Sequence, residues 1–410
     1  MKAVVFHGIG DIRFEDVKDA AIRDDFDAVV RITASAICGT DLHMTRGTMP
    51  GVKKGTILGH EGVGIVEEIG SKVRNPSPGD RVVIPSTIGC GNCSYCRAGY
   101  FSQCDTANPN GPSAGTAFFG GPEQTGPFDG LQAEKARVPY ANVNLVKLPD
   151  EVDDDDAILL SDIFPTGYMA AENAEIKAGN SVAVFGCGPV GLFTIASAKL
   201  LDVGRIFAID NIESRLEMAR ELGAEVINFD REDPTQALKE LTSGIGPDRV
   251  IDAVGIDANM PHSGPAAKTA KTAKEEHEGE SKQIAPRRNA SNGNWEPGDA
   301  PSQVLSWAVE SVAKAGTMSI IGVYSENLKT FPIGNAMEKN LTIKMGNCNH
   351  RRYLPGLIAL VRNGTVIPSE ILTQEEPLTS VLEAYRAFDK RQPGWIKVKL
   401  EPAVTRELAA

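Results

Sequence analysis

Four cysteines lie close together in the first third of this chain, at spacings that suit a metal ion. They follow the pattern Cys-x2-Cys-x2-Cys-x7-Cys, and the residues between the first three are mostly glycine or polar. A loop with such spacing can wrap a tetrahedral Zn²⁺ with four thiolates, leaving no position for a substrate. Free cysteines of a core are the alternative, which the polar intervening residues disfavour. The pattern predicts a structural zinc site formed by Cys90, Cys93, Cys96 and Cys104.

A second set of possible metal ligands is dispersed along the chain. Cys38 begins the stretch CGTDLH, and His60 with Glu61 lies in GHEGVG. Dispersed ligands suit a catalytic zinc, which takes three protein donors and keeps the fourth position for water or substrate. Alone, Cys38 can also be a small buried residue, and His60 a core histidine with its hydrogen bonds satisfied. A nucleotide-binding pattern further along the chain strengthens the catalytic interpretation.

That pattern covers residues 181–210 and is typical of a dinucleotide-binding βαβ unit. An apolar run predicts a buried strand, the turn Gly186-x-Gly188-x-x-Gly191 follows, and an apolar helix comes next. The first glycine permits the tight turn, the second lets the backbone approach a pyrophosphate, and the third lets the helix pack on the strand. Asp210 ends the next strand, where a carboxylate accepts the ribose hydroxyls and repels a 2′-phosphate. The pattern predicts NAD rather than NADP.

The composition excludes several classes of function. The chain has 410 residues, of which 41% are hydrophobic and 23% charged, with a formal net charge of −12. Such a charge disfavours nucleic acid and anionic membranes as partners. No apolar run reaches the length of a membrane span, and the N-terminus lacks the pattern of a signal peptide. We therefore expect a cytoplasmic protein, in a compartment that keeps thiols reduced. The chain has seven cysteines, an odd number, and the clustering of some of them indicates metal binding rather than disulfides.

The order of predicted elements indicates an α/β protein of two domains. The first third is mostly β, whereas strands and helices alternate from about residue 180, as in a doubly wound parallel sheet. We expect a catalytic domain formed by residues 1–163 and 326–410, with an NAD-binding domain, 164–325, inserted between them. A helix over 155–174 is expected to cross the first boundary. A strand predicted at 341–345 falls in the returning part of the catalytic domain.

Residues 256–303 interrupt this alternation with a polar insertion rich in lysine, alanine, glutamate and glycine. A short crossover would suffice at this place. One interpretation is a disordered or loosely helical excursion on the surface. The other is a flap that covers the adenine side of the cofactor cleft.

Taken together, these stretches resemble a known family. CGTDLH, GHEGVGIVEEIG, GDRVVIPSTIGCGNCSYCRAGYFSQC and VFGCGPVGL are similar to the zinc-containing medium-chain alcohol dehydrogenases, in order and along essentially the whole chain. Within that superfamily, LLSDIFPTGYMAAENA, FPIGNAMEKNLTIKMG and the insertion resemble the glutathione-independent formaldehyde dehydrogenase and aldehyde dismutase branch. The resemblance implies a GroES-like, mostly β catalytic domain and a Rossmann domain. It also implies NAD, one catalytic and one structural Zn²⁺ per subunit, and a homodimer or homotetramer paired near Met318–Gly322.

The resemblance also assigns roles around the catalytic zinc. Asp162 stands where the superfamily has its third ligand, so that Cys38, His60 and Asp162 would form a formally neutral site with Zn²⁺. Glu61 resembles the acidic residue proposed to enter the zinc sphere transiently. Asp162 as a helix N-cap is the alternative from the residues alone. Thr40 and His43 would relay the proton across the nicotinamide ribose to solvent, His43 lying near solvent; a plain polar turn is the alternative.

By the same resemblance, the cofactor residues occupy the βαβ unit. The pyrophosphate would lie against Gly186, Gly188, Val190 and Gly191, Asp210 would bind the adenosine ribose, and Arg215 would flank it. Gly39 and Lys397 stand where many relatives carry an arginine that faces the phosphates. Because Gly39 supplies no such cation, cofactor affinity could depend on the insertion instead.

The sequence therefore predicts a zinc-dependent, NAD-linked dehydrogenase that acts on a small alcohol or aldehyde. Formaldehyde or its hydrate is the leading substrate, and tightly held NAD would allow dismutation of aldehydes. A general alcohol or polyol dehydrogenase with freely exchanging NAD is an alternative, because Ser86 replaces a pocket phenylalanine and leaves room for polar substrates. An alternative of another class is a catalytically silent NAD-binding structural or sensor protein, which a complete zinc site disfavours.

Overall fold

The computed structural model describes residues 1–108, 110, 115–126 and 128–402, which fold into two compact units. The strands are β1 Lys2–Gly8, β2 Asp11–Asp16, β3 Ala28–Ile37, β4 Gly62–Ile69, β5 Arg81–Ile84, β6 Lys135–Val138, β7 Val146–Lys147, β8 Ser181–Phe185, β9 Arg205–Asp210, β10 Glu225–Asn228, β11 Arg249–Asp252, β12 Thr317–Ile320, β13 Thr342–Met345, β14 Gln374–Pro377 and β15 Val398–Glu401. The helices are α1 Gly39–Arg46, α2 Ser94–Arg97, α3 Ala141–Asn144, α4 Asp154–Leu160, α5 Ile163–Asn173, α6 Pro189–Leu200, α7 Glu213–Glu221, α8 Pro234–Leu241, α9 Gly264–Ile284, α10 Gln303–Ser311, α11 Ile333–Glu338, α12 His350–Arg362 and α13 Val381–Asp389.

The first unit comprises residues 1–165, 289–295 and 348–410, of which 403–410 lie outside the described residues. Its main sheet has the order β14-β15-β3-β4-β5-β7, and β6 also pairs with β3. Strands β3 and β4 are antiparallel, with Ser35 opposite Gly62. The end of β3 and the start of β4 therefore meet at one edge, which brings the residues after β3 close to those before β4.

The helix expected over 155–174 is interrupted, and the interruption has a clear cause. Helix α4 ends at Leu160 and α5 begins at Ile163. Between them, the Ser161 hydroxyl donates to the carbonyl of Ile84 in β5 and accepts from the backbone N–H of Gly62 in β4. These bonds to two strands fix Ser161 against the sheet, and Asp162 follows it at the same edge. The boundary to the second unit, 165/166, lies in α5, close to the predicted 163/164.

The second unit, residues 166–288 and 296–347, contains the predicted doubly wound sheet. Six parallel strands have the order β10-β9-β8-β11-β12-β13. Its apolar core combines the inner strands with α8 and α10, including Phe185, Phe207, Trp307 and Met318. The prediction of an α/β fold with a parallel-sheet domain beside a mostly β one is confirmed.

Strand β13 changes two expectations from the sequence. It pairs in parallel with β12 and so belongs to the second unit, which extends to residue 347 rather than ending at 325. It is also an edge strand, whereas Met318–Gly322 lies in and just after β12, an inner strand. The strand itself was predicted, but its domain was wrong, because the pattern of a short segment does not indicate which sheet it joins.

Just under half of the insertion, predicted as a disordered or loosely helical excursion, folds as one long helix. Helix α9 spans 21 residues and buries one face of small and polar side chains. His277 and Glu280 on that face are hydrogen-bonded at 3.2 Å, and Ser302 donates to the same carboxylate at 2.9 Å. The buried face is built from alanines and polar residues, so the composition alone indicated a solvent-exposed segment.

Residues 289–295, near the end of the insertion, join the first unit although the prediction assigned them to the NAD domain. Trp295 is buried in the apolar core there. The Asp389 carboxylate accepts from the Trp295 N–H at 2.7 Å, from the Asn294 amide at 3.0 Å and from Arg46 Nε at 2.8 Å. Trp295 has a left-handed backbone, φ 64°, which the surrounding contacts must hold in place.

No helix among the described residues is both long and apolar enough to cross a membrane.

Candidate active site

Three donors of the dispersed set converge at the sheet edge formed by the end of β3 and the start of β4. Cys38 caps the N-terminus of α1, directly after β3, and His60 lies just before β4. Asp162 joins them from the break between α4 and α5. Together with Glu61, their ligand atoms all lie within 4.8 Å of one another, and all four residues are buried. The spacing along the chain is long, and only the fold brings these donors together.

His60 is oriented by a carboxylate behind it. Its Nδ1 lies 3.1 Å from Asp41 Oδ1, and its Nε2 lies 3.1 Å from Asp162 Oδ2. Burial lowers the pKa of His60, but Asp41 and Asp162 outweigh that effect and raise the pKa well above its usual value. With Nδ1 donating to Asp41, Nε2 faces the other donors, the usual orientation of a metal-binding histidine.

Asp41 in turn is fixed by its own helix. It is the third residue of α1, and its Oδ2 accepts from the backbone N–H of Cys38 at 2.9 Å. The Gln132 amide also donates to this oxygen, at 3.3 Å. One carboxylate therefore positions both Cys38 and His60, a role that the sequence analysis did not assign to Asp41.

Asp162 has a second buried histidine as partner. His350 Nε2 lies 2.6 Å from Asp162 Oδ1, and His350 Nδ1 lies 3.0 Å from the Thr87 hydroxyl. Burial would raise the pKa of Asp162, but hydrogen bonds from His350 and His60 hold it well below its usual range. For His350, burial lowers the pKa, whereas Cys348 and Asp162 raise it to about 10.

The sequence analysis missed His350. It lies 188 residues from Asp162 along the chain, at the start of α12, in a stretch without a recognisable motif. Its residue type was its only signal, and that signal is weak because the chain has five other histidines among its six. A lone histidine is more often a core residue than part of a metal site.

Glu61 and Lys397 form a fully buried ion pair, with Oε2 of the carboxylate on Nζ of the lysine. Lys397 also donates to the carbonyl of Ile37 at 3.2 Å. Burial raises the pKa of Glu61 although Lys397 lowers it. Oε1 of Glu61 has no hydrogen-bond partner among the residues that the structure describes. The resemblance suggested a phosphate-facing position for Lys397, but its partner among the described residues of this unit is the carboxylate beside the zinc donors.

The two residues of the predicted proton relay lie on one helix. Thr40 is the second residue of α1 and is half-buried, and His43 follows it by one turn. His43 is only 4% exposed and its Nδ1 contacts the Thr48 hydroxyl at 2.9 Å. The expectation that His43 lies near solvent is therefore wrong for this unit, because α1 packs its inner face into the apolar core.

The four clustered cysteines also come together. Their sulfur atoms lie within 4.8 Å of one another around α2. Backbone N–H groups point at the sulfurs, with Cys93 N to Cys90 Sγ at 3.3 Å and Ala107 N to Cys104 Sγ at 3.3 Å. The hydrogen bond between Cys96 and Cys104 lowers the pKa of Cys104 to about 5 and raises the pKa of Cys96. Four protein donors leave no position for a substrate, as in a structural zinc site.

In the second unit, the glycine turn has the geometry that the pattern predicts. Gly186 follows β8 with φ 91°, a left-handed conformation that favours glycine. Gly188 is the N-cap of α6, and Val190 and Gly191 lie in its first turn. A Cβ on Gly188 would meet nothing closer than Arg215 Nη1 at 3.8 Å, so the backbone is open to an approaching group. The helix N-terminus can hold a phosphate here.

Asp210 ends β9 beside this turn. Its Oδ2 accepts from the backbone N–H of Cys187 at 2.8 Å, and its Oδ1 accepts from Asn211 N at 2.8 Å. Arg215 Nη1 lies 4.0 Å from Oδ2. The carboxylate is therefore fixed next to the glycine turn, with Arg215 flanking both.

These donor sets fit the groups that the sequence implies. A thiolate, a neutral imidazole and a carboxylate balance the charge of Zn²⁺ and leave one coordination position for a small molecule. Burial and Glu61 raise the pKa of the Cys38 thiol, and a bound divalent cation would hold it as thiolate. The four-cysteine loop fits a second, structural zinc, and the glycine turn with Asp210 fits NAD.

Comparisons with known proteins agree with this chemistry. The family model for the alcohol dehydrogenase GroES-like domain matches residues 24–150, and that for zinc-binding dehydrogenases matches 189–269. The chain is 37% identical to an uncharacterized zinc-type alcohol dehydrogenase-like protein of Bacillus subtilis (strain 168), covering 98% of this chain and 100% of that one. The solved alcohol dehydrogenase TADH from Thermus sp. ATN1 is 34% identical with a TM-score of 0.81, covering 98% and 99% of the two chains.

A relative from the more specific branch is also found. The glutathione-independent formaldehyde dehydrogenase of B. subtilis (strain 168) is 30% identical, covering 84% of this chain and 80% of that one. Its identity is lower than that of the zinc-type alcohol dehydrogenase-like protein.

Proposed function

The chain belongs to the zinc-type medium-chain alcohol dehydrogenases, enzymes that use zinc and NAD, and from this we propose that it oxidises a small alcohol or hydrated aldehyde. We further propose formaldehyde hydrate as the leading substrate. The observation that carries the proposal is the buried set of Cys38, His60 and Asp162, whose donor atoms lie, together with one of Glu61, within 4.8 Å of one another. A closed or purely structural site would not need a fourth position.

Cys38, His60 and Asp162 would hold Zn²⁺, which would supply a Lewis acid that lowers the pKa of a hydroxyl group and favours loss of hydride from its carbon. The protein's part is orientation and proton transfer. Asp41 holds Cys38 and His60 in place. The Thr40 hydroxyl is proposed to accept the substrate proton and pass it towards His43, whose Nδ1 contacts Thr48. Hydride acceptance belongs to NAD, for which Gly186, Gly188, Val190, Gly191, Asp210 and Arg215 are the proposed binding residues.

The preference for NAD over NADP is supported by Asp210. Its carboxylate is held by three backbone N–H groups, and a 2′-phosphate at this place would meet a fixed negative charge.

Captive NAD, and hence aldehyde dismutation, is supported by the way the insertion begins. The backbone N–H of His262 donates to Asp230 Oδ1 at 2.6 Å, and the Ser263 hydroxyl donates to the Asp230 carbonyl at 2.7 Å. Asp230 Oδ2 accepts from the Asn211 amide at 3.0 Å, next to Asp210. The start of the insertion is therefore anchored beside the proposed adenosine ribose site, where it can slow release of the cofactor.

A general alcohol or polyol dehydrogenase with exchanging NAD is the second candidate. The higher identity to the zinc-type alcohol dehydrogenase-like relative favours it, and so does the small residue Ser86 where a pocket phenylalanine would restrict polar substrates.

The deciding experiment uses the protein as purified, with its zinc content measured first. It is incubated with formaldehyde, without and with added NAD, and formate, methanol and NADH are quantified. Equal amounts of formate and methanol without added NAD would support captive cofactor and dismutation. Formate only with added NAD would support a conventional formaldehyde dehydrogenase, and oxidation of longer alcohols alone would support the second candidate. Bound zinc and NAD without turnover of any alcohol or aldehyde would favour a silent NAD-binding protein.

We also propose a cytoplasmic homodimer or homotetramer. All seven cysteines are free thiols, as expected in a reducing compartment. The edge strand β13 exposes Met345, and the preceding helix α11 exposes Ile333 and Met337. An exposed apolar sheet edge of this kind supports pairing with a second copy.

A further inference from the structure

The carboxylate of Asp162 offers two oxygens, and the fold uses them differently. Oδ2 faces the zinc donors, 3.1 Å from His60 Nε2 and 3.8 Å from Cys38 Sγ. Oδ1 points to the other side and meets His350 Nε2 at 2.6 Å. One oxygen is therefore available to the metal, while the other is occupied by an imidazole.

This division matters because the third donor is an aspartate. A carboxylate can bind a metal through both oxygens, which would add a fifth ligand and crowd the position needed for substrate. A hydrogen bond to Oδ1 competes with that second metal bond and stops rotation of the carboxylate. We propose that His350 is a positioning residue that keeps Asp162 a one-oxygen ligand and thereby keeps the fourth zinc position open. The proposal rests on the function proposed above, in that it assigns a role within the same zinc site.

The ring of His350 is itself fixed on its other side. Its Nδ1 lies 3.0 Å from the Thr87 hydroxyl, which also reaches the carbonyl of Cys348 at 3.3 Å. A hydroxyl can either donate to a ring nitrogen or accept from it. Thr87 can therefore form this hydrogen bond whether or not Nδ1 carries a proton. The orientation of Nε2 towards Asp162 does not depend on the protonation of Nδ1.

The position of His350 is set from the four-cysteine loop. His350 is the first residue of α12, and the preceding residue, Asn349, accepts through Oδ1 from the backbone N–H of Ser102 at 3.0 Å and from its hydroxyl at 2.9 Å. Ser102 lies two residues before Cys104, and Ser102, Asn349 and His350 are all buried. The structural zinc loop thus supports, through Ser102 and Asn349, the histidine that orients a ligand of the catalytic zinc.

The experiment compares three proteins: the native chain, His350→Phe, which keeps an aromatic ring without a donor, and His350→Gln, whose amide can donate to Oδ1. Co²⁺ replaces zinc at the catalytic site, and its visible spectrum is recorded. Four-coordinate Co²⁺ absorbs more strongly than Co²⁺ with five ligands. The rate at which a chelator removes the catalytic metal is measured in parallel on the zinc proteins.

We expect His350→Phe to weaken the cobalt absorption and to accelerate metal loss about 10- to 100-fold, with His350→Gln restoring both towards native values. Equal spectra and equal release rates for native protein and His350→Phe would overturn the proposal. So would failure of His350→Gln to recover either quantity in a protein that folds. None of these readouts needs turnover, so an enzyme that proves inactive on alcohols refutes the proposed function but not this role.

Asn349→Ala tests the same role if His350→Phe does not fold. It leaves His350 intact and removes only its support. We expect a smaller loss of cobalt absorption and a smaller acceleration of metal release than in His350→Phe. One structural zinc per chain should be retained. Native cobalt absorption and native metal release in Asn349→Ala would contradict the role of the loop, and in the absence of a folded His350→Phe they would contradict the proposal.

Discussion

Replacing Gly191 by alanine should destabilise the nucleotide-binding unit, and replacing Gly188 should not. A Cβ on Gly191 would overlap the carbonyl oxygen of Gly186 and lie 2.9 Å from its carbonyl carbon, inside the 3.0 Å that real Cβ atoms keep. The obstacle is backbone and cannot rotate away. It is also held in place, because Gly186 N donates to the Ile209 carbonyl at 2.8 Å.

The size of the effect follows from these contacts. Overpacking a close-packed site costs about 1–3 kcal/mol. Alanine is a better helix former than glycine by roughly 1 kcal/mol, which offsets part of this cost in the first turn of α6. We expect a net loss of about 1–2 kcal/mol, or a fall of about 2–8 °C in the melting temperature for a unit of this size.

Gly188→Ala is the matched control. Its Cβ would lie 3.8 Å from Arg215 Nη1, an ordinary contact, and the backbone at φ −70° accepts alanine. The unfolding free energy should change by less than about 0.5 kcal/mol. NAD affinity should nevertheless fall about tenfold or more, since the methyl group would stand where the pyrophosphate approaches, and tenfold is about 1.4 kcal/mol.

The assay is thermal unfolding of both variants without cofactor, followed by calorimetric titration with NAD. If Gly191→Ala melts like the native protein, the close-packing argument for the third glycine fails. If Gly188→Ala binds NAD normally, the second glycine does not face the pyrophosphate.

Three further predictions concern the first unit. Cys104→Ser should leave one zinc per chain instead of two, by metal analysis, and lower the melting temperature; two retained zinc ions would contradict a four-cysteine site. Lys397→Met should lower the free energy of unfolding, measured in urea, by about 3–5 kcal/mol, because it leaves the Glu61 carboxylate buried without its cation. The double variant with Glu61→Gln should recover part of this loss. Without such recovery the ion pair does not explain the loss. Trp295→Ala should cost about 3–5 kcal/mol in the same measurement, since this side chain fills a core; a change below about 1 kcal/mol would mean that residues 289–295 are only loosely attached.

Local patterns predicted the parts of the site that lie within one segment. The four-cysteine loop and the glycine turn each place their residues a few positions apart, so spacing alone limits the geometry they can adopt. Asp210 could be identified from the strand it ends, because the βαβ unit fixes where that strand must lie. These predictions needed no knowledge of distant residues.

Other features depended on contacts that no local pattern records. The helix over 155–174 is interrupted because Ser161 bonds to two strands, and β13 extends the second unit because β12 offers it an open edge. The insertion is a helix because its small and polar face finds partners such as Ser302. In each case a tertiary contact decides where the segment ends, which sheet it joins or which of its faces is buried.

The sequence by itself predicted the fold class, the four-cysteine loop and the NAD-binding turn, since each depends on residue type and short spacing. Cys38 and His60 could be named as dispersed donors, but Asp162 was assigned only by the resemblance, and the fold brings the three together. Only the tertiary structure decided that His350 supports Asp162, that Lys397 pairs with Glu61 and that His43 is buried. The physical reason is the same for all three. A hydrogen bond or an ion pair acts over about 3 Å, whereas its partners here are separated by long stretches of chain, and only packing brings them within reach.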